Sequence, residues 1–240
     1  MRLYPPLVVA LCCGLGLGLA GCQTLEPAGE AAAPAQMAGR GQPQPAVAPA
    51  APVRVYLFRG LFDVFSLGID NLGGKLRRKG YAARTMGVAS WEAVAAEIVQ
   101  RRRADPGEQI VVIGHSLGAD AAVRIANRVA REGLAPLALV VTFDPVSRQE
   151  VHGGTRRLVN LFQSNNGWAV PLSRGPGFTG RFVNEDLRDR GGVNHLTIDK
   201  DRRLHDEIIG WIDEAAAEGR RPGPDASALS RPAAPAAPRR

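Results

Sequence analysis

Between residues 53 and 219, short apolar runs alternate with longer stretches in which apolar residues recur every three or four positions. The short runs are rich in valine, leucine and isoleucine, and they predict strands that are buried on both faces. The predicted strands are Val53–Phe58, Tyr81–Gly87, Gln109–Ile113, Leu137–Phe143 and Arg157–Phe162.

The longer stretches predict helices, because their apolar residues share one helical face, as Val94 and Ile98 do. The predicted helices are a stretch through Leu72 and Leu76 to Lys79, then Ala89–Arg103, Leu117–Arg131 and Leu204–Ala217. Strands and helices that alternate at such short spacings predict an α/β fold, with a mostly parallel sheet covered by helices on both faces. Functional groups in such folds lie at the carboxyl ends of the strands.

The first 21 residues predict an export signal. A lone charge at Arg2 precedes the apolar run Leu7–Leu19, which is too short and too rich in glycine to predict a membrane-spanning helix. The run ends in Leu19-Ala20-Gly21-Cys22, which resembles the lipobox of bacterial lipoproteins. The resemblance implies cleavage before Cys22 and a lipid on that cysteine. An ordinary cleavable signal and an uncleaved anchor are the alternatives.

Two further segments have too few large apolar side chains to build a core. We interpret the Ala/Pro-rich residues 22–52 as a linker and residues 220–240 as a disordered basic tail, which leaves residues 53–219 as the folded domain. Of the net charge of +7, the tail carries +4, and residues 53–219 carry only about +3. The basic charge is therefore largely a property of the tail and does not predict a nucleic-acid partner.

The chain's three cysteines, Cys12, Cys13 and Cys22, all precede the predicted domain. The domain is therefore expected to contain no disulfide, no cysteine nucleophile and no cysteine-based zinc site. No pair of histidines or carboxylates stands at a spacing typical of metal ligands, so neither a metal nor another cofactor is expected.

The sequence Gly114-His115-Ser116-Leu117-Gly118 connects the apolar strand predicted at 109–113 to the helix that follows it. A serine between two glycines at a strand-to-helix turn projects its hydroxyl from the sheet, and the glycines avoid clashes with the neighbouring strand and helix. The amino terminus of the helix then presents backbone N–H groups to developing negative charge. This context predicts that Ser116 is a nucleophile.

On these residues the chain resembles the α/β-hydrolase family, in particular its lipase and esterase-like members, whose turn often has the sequence Gly-His-Ser-x-Gly. The resemblance covers residues 53–219, and beyond the turn it rests on the pattern of strands and helices. It implies that an acid and then a histidine follow Ser116 along the chain.

Asp144 is the predicted acid, because it ends the strand predicted at 137–143, just before Pro145. A turn-capping aspartate is the other interpretation. Many members of the family carry the acid one strand later, but here that strand ends in the carboxylate-free sequence Gln163-Ser164-Asn165-Asn166. The weaker alternatives lie in a polar loop and are Glu185, Asp186 and Asp189.

His195 is the predicted general base, because it lies in the loop before the last predicted helix, where this fold places that residue. His115 lies inside the turn and is expected to support packing or hydrogen bonding. His152 is expected in an exposed loop, and His205 on a solvated face of the last helix. A metal ligand is the rival interpretation of His195, without a second ligand to support it.

Two backbone N–H groups are expected to bind the oxyanion. One belongs to Leu117, the residue after the nucleophile. The other is assigned to Leu61 in the loop after the first strand, where the family usually has a His-Gly pair and this chain has Arg59-Gly60. The neighbours Gly60 and Phe62 are alternatives to Leu61.

These residues predict a serine hydrolase that cleaves carboxylic esters through an acyl-enzyme intermediate. A thioesterase or acyltransferase of the same fold and a non-catalytic lipoprotein binding module are the alternatives. The stretch 164–194 has no long amphipathic helix, which predicts a site without a large lid domain. Its aromatic residues either line the acyl pocket or pack against the sheet, and they include Trp168, Phe178 and Phe182.

The expected partners are a small-molecule or lipid ester and a membrane, which the protein contacts through its lipid anchor. The expected location is the cell envelope. Gln23 after Cys22 resembles lipoproteins routed to the outer membrane of Gram-negative bacteria, which would place the domain in the periplasm.

Overall fold

The computed structural model describes residues 53–61 and 66–220. The strands in this part of the chain are β1 (Arg54–Phe58), β2 (Ala82–Met86), β3 (Ile110–His115), β4 (Leu139–Phe143), β5 (Glu150–Val151), β6 (Arg157–Phe162), β7 (Ser173–Arg174) and β8 (Arg181–Asp186). The helices are α1 (Leu67–Arg78), α2 (Trp91–Ala104), α3 (Leu117–Arg131) and α4 (Arg202–Gly219), with 3-10 turns at Val88–Ser90 and Ile198–Lys200.

Six strands form one sheet in the order β2-β1-β3-β4-β6-β8, and every neighbouring pair is parallel. The short strands β5 and β7 form a separate parallel pair. The chain first steps from β1 outward to β2, then crosses back over β1 to β3 and continues to β8. The parallel α/β fold predicted from the sequence is thereby confirmed.

Helices cover both faces of the sheet. Successive side chains along a strand point to opposite faces, so each central strand contributes to two cores. Val111 and Ile113 pack in a core with α1 and α4, whereas Ile110 and Val112 pack in a second core with α2 and α3. Each fully buried aliphatic side chain stabilises the fold by about 1.5–3 kcal/mol relative to an exposed one. The central strands are therefore firmly held, and residues at their carboxyl ends have fixed positions.

The structure lengthens one predicted strand, β3, and adds three that were not predicted, the short pair β5 and β7 and the edge strand β8. β3 continues through Gly114 and His115, which pair with β1 and β4 although the apolar run ends at Ile113. The edge strand β8 was not predicted, because its sequence Arg-Phe-Val-Asn-Glu-Asp is polar and only partly buried. Edge strands need only one hydrogen-bonded neighbour and less apolar surface, so the hydropathy pattern gives them a weak signal.

Arg102 is buried at the amino ends of the central strands and binds backbone carbonyls of the loops that lead into β3 and β4. Its guanidinium donates to the carbonyls of Pro106 and Glu108 at 3.0 and 2.6 Å, to that of Ala135 at 2.8 Å, and also to that of Pro136. A planar group with five donors suits such a cluster of acceptors. Arg102 thereby holds together the loops at the amino ends of β3 and β4, at the opposite end of the strands from Ser116.

Candidate active site

Ser116 follows β3, next to β1, where the order in which the chain adds strands to the sheet reverses. The neighbouring strands β1 and β3 lead into α1 and α3, which cover opposite faces. The loops after these strands therefore diverge and leave a crevice at their carboxyl ends, which is where open α/β sheets bind ligands.

Ser116 occupies a strained turn between β3 and α3. Its φ and ψ are 56° and −124°, a conformation that non-glycine residues adopt only where the surroundings enforce it. Two close backbone contacts enforce it here. A Cβ on Gly114 would lie 2.0 Å from the Gly118 carbonyl oxygen, and one on Gly118 would lie 2.5 Å from the Phe58 carbonyl oxygen. The two glycines therefore let α3 start directly against β1 and β3.

Ser116, His195 and Asp144 form one hydrogen-bonded line. His195 Nε2 lies 3.2 Å from Ser116 Oγ, and His195 Nδ1 lies 3.1 Å from Asp144 Oδ2. Since a carboxylate only accepts, Nδ1–H donates to Asp144, which leaves Nε2 of the neutral ring free to accept the serine hydroxyl proton. The three residues predicted as nucleophile, acid and base are thus brought together from three separate loops.

Asp144 is fully buried, and its hydrogen bonds fix the orientation of its carboxylate. Oδ1 accepts the Gln163 backbone N–H at 2.9 Å, and Oδ2 accepts Asn166 Nδ2–H at 2.6 Å in addition to the His195 proton. Asp144 also has a positive φ of 47°, and it and Ser116 are the two such non-glycine residues in the described part of the chain. Backbone strain is therefore concentrated at this site.

Asn166 was not selected from the sequence, although it follows the strand next to the one that Asp144 ends. Its Nδ2 donates to Asp144, while its Oδ1 accepts the backbone N–H groups of Trp168 and Ala169, both at 2.9 Å. One amide thus links the acid to the loop that carries Trp168. The strand-end rule applies equally to its polar neighbours Ser164 and Asn165, so the sequence does not show which of them contacts the acid.

An apolar cavity of about 490 Å³ opens beside Ser116. Its walls include Leu61, Val146, Trp168 and Leu196. The Trp168 ring lies nearly parallel to the His195 ring, with centroids 5.4 Å apart and an interplanar angle of 15°, while 65% of the tryptophan remains exposed. The cavity has the size and lining typical of a site for a small apolar ligand.

The sequence pattern of the thioesterase-domain family matches residues 72–209, which is more than half of the chain. The chain belongs to the thioesterase-domain family. Membership of this family makes it a hydrolase-type enzyme. Its parallel sheet with helices on both faces is the fold implied by the resemblance to the α/β hydrolases. The matched region includes Ser116, Asp144 and His195 and ends before the last turns of α4.

Three solved structures are similar to this thioesterase-domain protein at low identity. A protein of the α/β superfamily from Xanthomonas campestris pv. campestris is 11% identical with a TM-score of 0.40, and the match covers 65% of this chain and 98% of that one. The RedJ thioesterase of the prodiginine pathway in Streptomyces coelicolor is 12% identical (TM-score 0.42; 70% and 96% covered). A cutinase-like protein from Cryptococcus sp. is 14% identical (TM-score 0.41; 69% and 95% covered). No curated protein sequence matches the chain.

His115 of this thioesterase-domain protein is buried next to Ser116 and has no hydrogen bond to the Ser116 hydroxyl. Its Nδ1 lies 2.8 Å from Ser66 Oγ, and its Nε2 lies 2.8 Å from the His195 carbonyl oxygen. Burial, and next the proximity of His195, lower the pKa of His115 to about 4. His115 therefore stays neutral over the physiological range. Sequence reasoning did not select Ser66, because it follows the strand-like run by several residues and belongs to no motif.

The two residues predicted to supply the oxyanion donors, Leu117 and Leu61, line the same cavity as Ser116. Leu117 is the first residue of α3, so its N–H has no acceptor within that helix. Leu61 lines the cavity next to Gly60, whose N–H donates to Ser66 Oγ at 3.0 Å. Phe62, one of the alternatives to Leu61, lies outside the described residues.

The prediction for His205 was wrong. It is only 2% exposed, and its Nε2 donates to the Asp199 carbonyl at 2.6 Å, so it belongs to the interface of α4 with the preceding turn. The error arose because its neighbours in sequence are charged, although residue 205 faces the same side as Leu204 and Ile208. His152 lies in an exposed loop, as expected. Within the described ranges, no three histidines, cysteines or carboxylates are grouped as metal ligands.

Among the predicted aromatic residues of the stretch 164–194, Trp168 lines the cavity. Phe178 and Phe182 instead stack edge to face, 5.8 Å apart, and pack in the core of α2 and α3. Cys22, the predicted signal, the linker and most of the basic tail lie outside the described residues. Of the helices that the structure describes, none is long and apolar enough to cross a membrane.

Proposed function

We propose that this protein is a serine hydrolase that cleaves esters of apolar acyl groups through a covalent acyl-enzyme. One observation carries the proposal: the hydrogen-bonded line from Ser116 through His195 to Asp144 ends at the wall of an apolar cavity. A hydroxyl at such a place becomes a nucleophile because the adjacent imidazole accepts its proton.

In the first half-reaction Ser116 Oγ bonds to the acyl carbon while its proton moves to His195 Nε2. Asp144 stabilises the resulting imidazolium through the bond to Nδ1–H. His195 then gives the proton to the departing oxygen, and the C–O bond of the substrate breaks. In the second half-reaction a water molecule attacks the acyl-enzyme with the same base, which releases the acid and restores Ser116.

The oxyanion of each tetrahedral intermediate is bound by the N–H groups of Leu117 and Leu61. Leu117 also supplies the positive end of the α3 dipole. Leu61 is the better choice over Gly60, because the Gly60 N–H is engaged by Ser66. One such donor contributes about 3 kcal/mol of transition-state stabilisation.

The acyl group of the substrate lies in the cavity, against Leu61, Val146, Trp168 and Leu196. No aspartate, glutamate, lysine or arginine is among the described residues that line it, so an apolar acyl chain is favoured over a charged one. The open mouth beside Trp168 suits a substrate whose alcohol portion extends into solvent.

A thioester is the second candidate substrate, and the match to the thioesterase-domain family favours it. The same acyl-enzyme forms, with a thiol as the leaving group. An acyltransferase follows from the same chemistry when an alcohol replaces water, and a non-catalytic binding module remains the alternative from another class.

A fluorophosphonate probe tests the function directly, because it phosphonylates only an activated serine. We expect the full-length protein to be labelled at Ser116 and the Ser116→Ala variant to be neither labelled nor active. A folded wild-type protein that resists the probe would refute the hydrolase and favour the binding module. Alkyl esters and acyl thioesters of matched chain length, assayed side by side, then identify the preferred leaving group.

The export signal and lipid anchor are part of the same proposal and rest on the sequence around Cys22. We expect metabolic incorporation of a fatty-acid analogue into the wild-type protein in a bacterial host and none into Cys22→Ala. Equal incorporation, or a soluble wild-type protein in the periplasm, would exclude a lipid on Cys22.

A further inference from the structure

Ser66 and His115 are buried polar side chains that take no part in the proposed chemical steps. Their exposed fractions are 1% and 2%. Their hydrogen bonds join the backbone of Gly60 to that of His195, and we call these four residues the Ser66–His115 network.

The direction of every hydrogen bond in this network follows from its two ends. The His195 carbonyl can only accept, so His115 Nε2 carries the proton of the neutral ring and donates to it. His115 Nδ1 is then a bare acceptor, and Ser66 must donate its hydroxyl proton to it. The Ser66 oxygen in turn accepts the Gly60 N–H. Each donor therefore has one acceptor.

The network connects three segments that the proposed reaction needs in register. Gly60 belongs to the loop after β1 that supplies an oxyanion donor, His115 precedes the nucleophile, and His195 is the base. Ser66 lies just before α1 and bridges the first two segments. Among the described residues, no other hydrogen bond joins Gly60 to the turn at Ser116.

Gly60 lies so close to the nucleophile that no side chain fits between them. A Cβ at this position would lie 2.9 Å from Ser116 Cβ and 3.2 Å from the His115 carbonyl oxygen. Hydrogen bonds have a preferred direction, whereas apolar packing does not. The network therefore fixes how the loop at Gly60 is oriented toward Ser116, and it determines which N–H group of that loop remains for a ligand. With the Gly60 N–H engaged, the N–H of Leu61 is the free group nearest along the chain.

We propose that Ser66 and His115 are positioning residues that orient the oxyanion loop, Gly60 and Leu61, relative to Ser116 and His195. The inference rests on the proposed function. Ser66 and His115 touch no reacting atom and act through the Gly60 backbone and the His195 backbone. Their loss therefore weakens binding of the transition state and leaves binding of the ground-state substrate largely unchanged.

Two variants each remove one member of the network. Ser66→Ala deletes the hydroxyl, and His115→Phe removes both hydrogen bonds while keeping a ring in the place that contacts His195. The matched control is Thr155→Val, because the buried Thr155 hydroxyl donates to the Arg157 carbonyl at 2.8 Å at the opposite end of the sheet.

For either network variant we expect kcat on an ester to fall by about 10- to 100-fold with KM within about twofold, since displacing a catalytic donor by an ångström has effects of this size. The affinity for an alkyl boronic acid, whose serine adduct places an oxygen in the oxyanion position, should fall by the same factor as kcat/KM. Thr155→Val should lose a comparable amount of stability to urea while kcat stays within about twofold of wild type.

The double variant Ser66→Ala/His115→Phe should be no slower than the slower single variant, because both substitutions break the same connection. Losses that multiply would overturn the network, and so would a folded single variant with wild-type kcat and boronate affinity. If one single variant does not fold, the other decides by the same criteria.

The proposed function fails separately. A folded wild-type protein that is inert to the fluorophosphonate probe overturns both the hydrolase and the network's role in it. A wild-type protein that is labelled at Ser116 no faster than Ser66→Ala overturns the network's role alone.

Discussion

Replacing the Asp144 carboxylate with an amide tests the proposed triad most sharply, because Asp144→Asn changes one atom and no volume. The amide has two possible orientations. If its oxygen accepts the Gln163 N–H, its NH2 group faces the donors of Asn166 and His195. His195 must then carry its proton on Nε2, the tautomer that cannot accept the Ser116 proton. If the amide is reversed, the buried Gln163 N–H loses its acceptor.

The size of the effect follows from the distance between the two charges. At the 3.1 Å that separates His195 Nδ1 from Asp144 Oδ2, a pair of unit charges in a protein of effective dielectric constant about 20 attracts by about 5 kcal/mol. Both groups are almost fully buried, so solvent screens this attraction little. A loss of about 5 kcal/mol of transition-state stabilisation lowers a rate by about 10⁴-fold. The wrong tautomer acts in the same direction, so we expect kcat to fall by about 10³- to 10⁴-fold.

The assay is ester hydrolysis by Asp144→Asn with fluorophosphonate titration of active protein. The control is Asp213→Asn, the same exchange at a half-exposed residue of α4 that pairs with Lys79, for which we expect wild-type kcat. A folded Asp144→Asn protein that keeps more than about one tenth of the wild-type kcat would contradict the electrostatic argument. One of the other acids would then be the partner of His195.

Four further predictions address the turn, the cavity and the fold. Gly118→Ala should lower the free energy of urea unfolding by at least about 2 kcal/mol and slow labelling of Ser116, because its Cβ would lie 2.5 Å from the Phe58 carbonyl oxygen. Arg102→Met should cost about 3 kcal/mol of unfolding free energy, with kcat of the folded protein unchanged, since it leaves buried carbonyls unpaired far from the site. Trp168→Ala should raise KM about tenfold for long-chain esters and little for acetates, because it removes a wall of the cavity. Burial raises the pKa of Asp199 to about 6 from 3.8, so the folded state binds the proton more tightly than the unfolded state. Relative to Asp199→Asn, wild type should therefore lose about 2 kcal/mol of unfolding free energy between pH 4 and pH 6; equal pH profiles in urea unfolding would refute this.

The sequence carries most of the information on the fold because the central strands are buried on both faces. Their continuous apolar runs and the one-sided helices predicted the sheet and its coverage, and α3 begins and ends where the pattern of 117–131 predicted. The strand-end rule also selected Ser116 and Asp144, since it needs only the position of each strand and not its neighbours.

The remaining parts of the site depend on contacts that have no local signal. Asn166 supports Asp144 across two adjacent strand ends, and Ser66 reaches His115 over 49 positions of sequence. A polar residue in such a place looks like any loop residue until the sheet order is known. The prediction for His205 failed for a different reason. Its charged neighbours in sequence predicted exposure, but the helical face that it shares with Leu204 is buried.

The chemistry of the leaving group, rather than the shape of the cavity, is what separates an ester from a thioester in this site. The described cavity walls hold no fixed charge that would stabilise a departing anion. An alkoxide therefore cannot leave until His195 returns its proton, whereas a thiol, with a pKa of about 8.5, departs as an anion much more readily. In the proposed binding mode, apolar walls such as Trp168 contact the acyl portion, which both substrate classes share. The ratio of ester to thioester turnover consequently measures how well the Asp144–His195 pair delivers a proton, and the acyl-chain preference measures the cavity.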